Sequence, residues 1–473
     1  MKSYLRQNKA ITLIALVITI IVLLILAGVT ITSLTGENGL LQRASDAKIQ
    51  TELAEIKDQL KLEVLGSYEL DGKLSAAKVK ENIENNVDGA SVDGEDFDLY
   101  VSVKDYKFVI ESSGEVLENG NNIKKDGLTK ATLDSSAAHN LLSSTTNQEE
   151  LMAMNKEAID SLNEEQLGWI AIYLNSSNVP GAQVTKIEKF KGNSTQAQEK
   201  GTVVSTENSD KPIYMWFEQD VGKQAIYNLW FLGGLNINSG TLYWWSEADE
   251  IYFPSDCSRL FYDFQNIETL NGIREWKTDN VTRVNEMFDA CMKLSNINAM
   301  YNWNTSNVTD MSEMFMDCGS LNNISALKNW DVSKVEDMSR MFSISTDRPV
   351  NKVPIVDGTA FKNWKTSSVK DVDGMFNYCS ELSVLDLSNF DTSKIESCGE
   401  FFNNCNKLGK IIVGNNWDAT VFTSNGYSMF SNCYALVGEQ GTTYNDDDLY
   451  ETEDYTYAHI DGGQSNPGYL SSH

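Results

Sequence analysis

Aromatic landmarks recur through the second half of the chain at a nearly fixed interval. Trp276, Trp303, Trp330, Trp364, Phe390 and Trp417 are separated by 27, 27, 34, 26 and 27 residues. A second series, Phe288, Phe315, Phe342, Phe376, Phe402 and Phe430, keeps almost the same steps, and Phe261 lies 27 residues before it. The step of 34 is one period plus a seven-residue insertion, flagged by Pro349 and Pro354. A fixed period in this range means a solenoid. One unit cannot bury its apolar face alone, and stacked neighbours build a shared core. The pattern predicts about seven units over residues 255–437, closed by an acidic C-terminal cap at 438–473.

Within a unit, Val308, Met311, Phe315 and Cys318 are spaced three, four and three, which is one face of a short helix. Ser333-x-x-Glu336 and Ser393-x-x-Glu396 have the form of capping boxes. A short apolar alternation follows, clearest at Leu385-Asp386-Leu387 and Ile411-Ile412-Val413, and predicts a strand. Each unit is therefore expected to be one helix plus one short strand. Cys291, Cys318, Cys379, Cys405 and Cys433 each sit three residues after the repeat Phe, and Cys257 and Cys398 sit four before it. All seven cysteines fall in core-facing slots and are expected to pack, reduced, as small hydrophobes. No Cys-x-x-Cys occurs, and none of His139, His459 and His473 joins the cysteines, so neither a zinc site nor a catalytic thiol is expected.

The pattern W-x-T-S-x-V-x-x-M-x-x-M-F-x-x-C-x-x-L, from about Ser255 to Leu436, resembles the BspA-like leucine-rich-repeat bacterial surface proteins. The lead-in YFPSDCSRLF and the ending from Tyr457 to Tyr469 are similar to that family's flanking segments. The resemblance implies surface display and adhesion to host or matrix proteins.

The net charge is −29, with 38 Lys and Arg against 67 Asp and Glu. Such a chain repels phosphate backbones, so no nucleic-acid partner is expected. Asp446, Asp447, Asp448, Glu451, Glu453 and Asp454 crowd near the end, without the ligand spacing of a calcium loop. They are taken as a solvated acidic face, and no metal or cofactor is expected.

Between Lys9 and Glu37 the chain carries no charge, and Ile11–Ile31 is a continuous apolar run long enough to span a bilayer as a helix. Lys2, Arg6 and Lys9 precede it and orient the rest of the chain outward. This start resembles a type IV prepilin over roughly residues 1–65. The resemblance implies a basic leader, 1–10, prepilin-peptidase cleavage between Ala10 and Ile11, N-methylation of Ile11, and association with other pilin-like subunits. Ala15 stands where pilins carry a pairing Glu, which puts filament assembly in doubt. A plain uncleaved anchor over 11–35 is the alternative.

After the anchor, Ile49, Leu53, Ile56, Leu60 and Val64 form one helix stripe, and FDLYVSVKDYKFVI at Phe97–Ile110 supplies two strands. A pilin-like helix and small sheet is expected over 36–118, then a linker over 119–146 and an α+β middle domain over 147–254. Trp216, Trp230, Trp244 and Trp245 could stack sugars, but strand core is favoured, except that the adjacent pair Trp244 and Trp245 cannot enter one core.

The fold class expected is α/β: an N-terminal transmembrane helix, a pilin-like α+β head, an α+β lead-in and a leucine-rich-repeat-type α/β solenoid. No catalytic constellation is found, so an enzyme is not expected. The reading is a single-pass bacterial cell-surface protein whose extracellular solenoid binds protein or matrix ligands. A pilin-like filament subunit is the alternative. Asp386 and Ser388, alternating with Leu385 and Leu387, are expected to face outward on a concave ligand surface.

Overall fold

The computed structural model of the protein describes residues 40–69, 73–94, 97–104, 106–118, 128–143, 153–163, 178–228, 234–345, 352–423, 425–444 and 454–473. The chain divides into two compact units, Met1–Leu128 and Thr129–His473.

In the first unit, helix α1 (Leu40–Leu65) buries Leu53, Ile56, Leu60 and Val64. This stripe packs on the antiparallel meander β1 (Ala90–Asp93), β2 (Leu99–Val103), β3 (Tyr106–Ile110) and β4 (Val116–Glu118). Helix α2 (Ala76–Asn86) starts where the Ser75 hydroxyl accepts a hydrogen bond from the backbone N–H of Lys78. Among the described residues no helix is long and apolar enough to cross a membrane, so the expected N-terminal transmembrane helix is not shown. The run 11–35 that suggested one, with Ala10 and Ile11, lies outside the described residues.

The second unit begins at Thr129, inside the expected linker. Strand β5 (Lys130–Thr132) pairs in parallel with β10 (Glu250–Tyr252). A four-stranded sheet follows, in the order β6 (Val184–Lys189), β9 (Leu235–Ser246), β8 (Ile213–Tyr227), β7 (Thr202–Val203). Trp244 and Trp245 take opposite faces. Trp244 is buried, donates Nε1–H to the Gly272 carbonyl at 2.6 Å and meets Trp276 edge-on. Trp245 donates to the Gly192 carbonyl on the other side. There Phe190 lies over Trp216 and Tyr243, with centroids 5.0 and 6.3 Å away, so these aromatics form a small core and not an open platform.

The repeats are not helix-plus-strand units. No α-helix is present between Ser255 and Leu436 among the described residues. The segment expected to be helical is a chain of tight turns that pairs, coil to coil, as a parallel ladder. Within a coil, Met287, Asp289 and Cys291 donate their N–H groups to the carbonyls of Val284, Glu286 and Phe288, three residues back. The alternate N–H groups, of Glu286, Phe288 and Ala290, donate to Ser312, Met314 and Met316 of the next coil at 2.9–3.0 Å. In most coils two residues take left-handed backbone, as at Glu286 and Ala290 or Glu313 and Asp317. The resulting turns place residues i, i+3, i+4 and i+7 inward, which is the helical apolar period. Spacing alone therefore could not separate the two. The capping boxes dissolve in the same way. Ser333 N–H donates to Asp331 Oδ1 at 3.0 Å, and Glu336 is exposed and paired with Lys370.

Each coil turns at three such corners, as where Ser312, Ser325 and Ser333 N–H groups donate to Asp310, Asn323 and Asp331 at 3.0–3.1 Å. Only the last coils add regular strands, in the parallel order β11 (Asp357–Gly358), β12 (Val384–Leu387), β13 (Lys410–Val413), β14 (Leu470–Ser472). Inside, Phe261, Phe288, Phe315, Phe342, Phe376, Phe402 and Phe430 stack in one column with neighbouring centroids 5.3–6.1 Å apart. Trp276, Trp303, Trp330, Trp364 and Phe390 are buried beside it. Trp417 is partly buried and donates Nε1–H to the Ala458 carbonyl of the C-terminal cap.

The cysteines have a specific task. Cys291, Cys318, Cys379, Cys405 and Cys433 each point Sγ at the carbonyl of the Phe in the preceding coil, at 3.0–3.6 Å. All seven are free and buried, and burial pushes up the thiols of Cys257, Cys291, Cys318, Cys379, Cys398 and Cys405, Cys398 to about 12. Buried threonines bridge coils similarly. Thr392 Oγ1 accepts from Asp418 N–H at 2.7 Å and donates to the Asp418 carbonyl at 3.1 Å.

Phe315→Ala is expected to lower unfolding free energy by about 3–5 kcal/mol in a denaturant titration, because it opens a gap in a packed column. Thiol labelling of the native protein should be slow at all seven cysteines and complete on unfolding. Rapid labelling of Cys318 would contradict its position in the core.

Candidate functional site

Asp386 and Ser388 do not offer a ligand face. They are 6% and 8% exposed. The Ser388 N–H donates to Asp386 Oδ1 at 3.0 Å, and the hydroxyl bonds the same oxygen, which closes a corner of the coil. Lys362 stands 3.8 Å from the other carboxylate oxygen. Alternation predicted them outward, but the chain turns immediately after Leu387 and folds the pair over its own backbone. The other predicted repeat residues, from Trp276 to Cys433, are core, with Trp417 partly buried at its edge.

The polar surface that the coils repeat in register is the outer side of the turn ladder. Asp310, Asp337 and Asp371 are bridged in register, coil to coil. Each accepts the N–H two residues on, from Ser312, Ser339 and Asp373, at 2.8–3.1 Å. Arg283 continues the row and reaches Asp310 at 3.0 Å. A second row stands at the left-handed position two residues before each Phe: Arg259, Glu286, Glu313, Arg340, Gly374, Glu400 and Ser428.

Glu286, Glu313 and the buried Asp289 bring carboxylate oxygens within 4.8 Å of one another, the one such group among the described residues that could hold a metal ion. Burial, then the Glu286 charge, raises the Glu313 carboxyl, while Arg340 opposes the shift. Arg259 pairs with Glu286 at 3.4 Å. Three coils on, the equivalent contact is satisfied by an amide, Asn377 Nδ2 donating to Glu400 Oε2 at 3.0 Å. Asp371 and Asp373 are also raised, first by burial. Tyr427 OH donates to Asp373 at 3.3 Å. Sequence reasoning missed this face because the helix reading scattered these residues around a cylinder. Their shared offset from each repeat Phe was the available signal.

Residues 255–352 and 353–443 each match the family model described as "Mycoplasma protein of unknown function, DUF285". The two matches cover the repeat array. This similarity is consistent with a BspA-like repeat surface protein. No curated protein and no solved structure matches the chain.

Glu313 titrates with a folded pKa above its unfolded one, so its charged form opposes folding. That cost is present above the folded pKa and fades as pH falls below the unfolded one. Glu313→Gln should therefore raise the melting temperature at pH 7, with the gain shrinking toward about pH 4. A lower melting temperature at pH 7 would show that the carboxylate is needed there.

Proposed function

We propose that residues 129–473 are a binding scaffold of a bacterial cell-surface protein, engaging protein ligands through the outer side of the turn ladder. The observation that carries this reading is the in-register row Asp310, Asp337, Asp371, flanked by Glu286, Glu313 and Glu400. Backbone bonds between coils fix these carboxylates at one rung spacing, roughly 4.8 Å. A rigid charged array needs little ordering on binding, and it steers partners of opposite sign. The fitting partner presents a basic surface. The DUF285 match over the array, consistent with a BspA-like repeat surface protein, supports display at the surface, and the binding role rests on the charged row.

The test replaces charge without changing shape. Asparagine keeps the oxygen that accepts each corner N–H, so the triple variant Asp310→Asn, Asp337→Asn, Asp371→Asn leaves the turns intact. The full-length protein and this variant are compared against a panel of purified matrix proteins spanning acidic and basic surfaces. Binding is expected to favour the basic members and to fall about tenfold or more in the variant at low ionic strength. The difference should close toward 1 M salt, where charges are screened beyond roughly 3 Å. Equal affinity of the two proteins at low salt would refute the ladder face as the binding surface.

A further inference from the structure

One position on the turn-ladder face departs from the rest. The residue after the column Phe is Tyr262, Asp289, Met316, Ser343, Asn377, Asn403 and Ser431 in successive coils. Asn377 and Asn403 are thus neighbours in register, tied by the Tyr378 N–H to Asn403 carbonyl bond at 2.9 Å. Stacked asparagines ordinarily satisfy each other, Nδ2 of one rung donating to Oδ1 of the next. Here they do not. Asn377 turns its Nδ2 to Glu400 Oε2 at 3.0 Å. The Oδ1 atoms of both Asn377 and Asn403 are buried without a hydrogen-bond donor. Asn377 is only 7% exposed, so its carbonyl oxygen has little access to bulk water. A buried acceptor left unmatched costs about 1–3 kcal/mol.

The surroundings are rich in acceptors. Glu400 stands three residues before Asn403 in the same coil, and the turn between them closes with Asn403 N–H on the Glu400 carbonyl at 3.1 Å. The Glu400 carboxylate has its Oε2 on the Asn377 amide, which brings it to the asparagine pair. At the coil position where others carry Arg, Glu or, in the last, Ser428, this coil has Gly374, with φ +59°. A Cβ built there would meet only Arg340 Cγ at 3.4 Å and Asn377 Cβ at 3.7 Å. The side chain missing from the row is the one that would lie beside Asn377.

Two amide oxygens in register, with a carboxylate beside them, suit a hard cation and not an anion or a soft metal. The backbone bond between the two coils and the Asn377–Glu400 contact place the two amides and the carboxylate on neighbouring rungs of one face. We propose that Asn377, Asn403 and Glu400 form a calcium-class divalent cation site on the turn-ladder face. Three protein oxygens leave the rest of the shell to water. The affinity class is that of weak extracellular sites, a Kd of roughly 0.1–1 mM. The carboxylate cluster at Glu286, Asp289 and Glu313 is distinct: it has arginine counter-charges, and it lies three coils away.

The test follows the melting temperature and terbium luminescence of the full-length protein. Millimolar calcium chloride is expected to raise the melting temperature above that in sodium chloride of equal ionic strength. The increment should vanish in Asn403→Ala and in Glu400→Gln and persist in Glu313→Gln. Terbium should be displaced by calcium in the wild-type protein, and its binding lost in Glu400→Gln. If Asn403→Ala fails to fold, judged by circular dichroism, Glu400→Gln decides alone. Loss of the calcium response in Glu313→Gln, with Asn403→Ala and Glu400→Gln unaffected, would place the ion at the other cluster and overturn the assignment. No calcium-specific response in the wild-type protein would mean that a water satisfies the two amide oxygens, and would overturn it equally.

Discussion

The second unit depends on register between coils, and the phenylalanine column enforces it. Seven rings stack with centroids 5.3–6.1 Å apart, each fixing its coil against the next. Aromatic pairs in such geometry contribute roughly 0.5–1.5 kcal/mol each beyond the area they bury. A slip of one residue would replace a ring in the column by a non-aromatic neighbour such as Met316 or the buried Asp289, so the alternative registers lose a stacked pair at every rung.

Once register is fixed, the less obvious residues of the repeat acquire a reason. The turns spend alternate N–H groups on the next coil and the others on themselves, which leaves the Phe carbonyls facing inward. The cysteine thiols fill that need with a weak donor small enough for a close-packed core. The Thr of the W-x-T-S motif supplies both a donor and an acceptor where Asp418 meets Thr392. The aspartates at the corners fold back on the N–H two residues later. The fixed positions of the motif therefore serve the column, the bonds between coils or the corners within a coil, as Ser306 does on Asn304, while binding is proposed on the outer side of the ladder.

Much of this was legible in the sequence. The period, the insertion near Pro349 and the inward set Val308, Met311, Phe315 and Cys318 all follow from spacing, and each is buried as read. The local backbone was not legible. Successive tight turns reproduce the apolar period of a helix, and the residues that would have betrayed them, Glu313 and Asp317 with positive φ, are not glycines. Asp386 and Ser388 failed for a related reason. Asp386 lies within the strand, but Ser388, just past its end at Leu387, folds back on the Asp386 carboxylate, so alternation did not leave the pair exposed. The carboxylate row needed coils to be superposed before it could be seen, because its members lie a full period apart.

Residue-level hydrogen exchange on the full chain tests the column most directly. The backbone N–H groups of Phe288, Phe315 and Phe342 each donate to the following coil at 3.0 Å. If the column sets the register, removing one ring by Phe315→Ala should speed exchange at Phe288 and Phe342 together with position 315, because coils on both sides lose a stacking partner. If exchange quickens only within the coil that carries the substitution, with Phe288 and Phe342 still fully protected, the coils hold their register independently of the column.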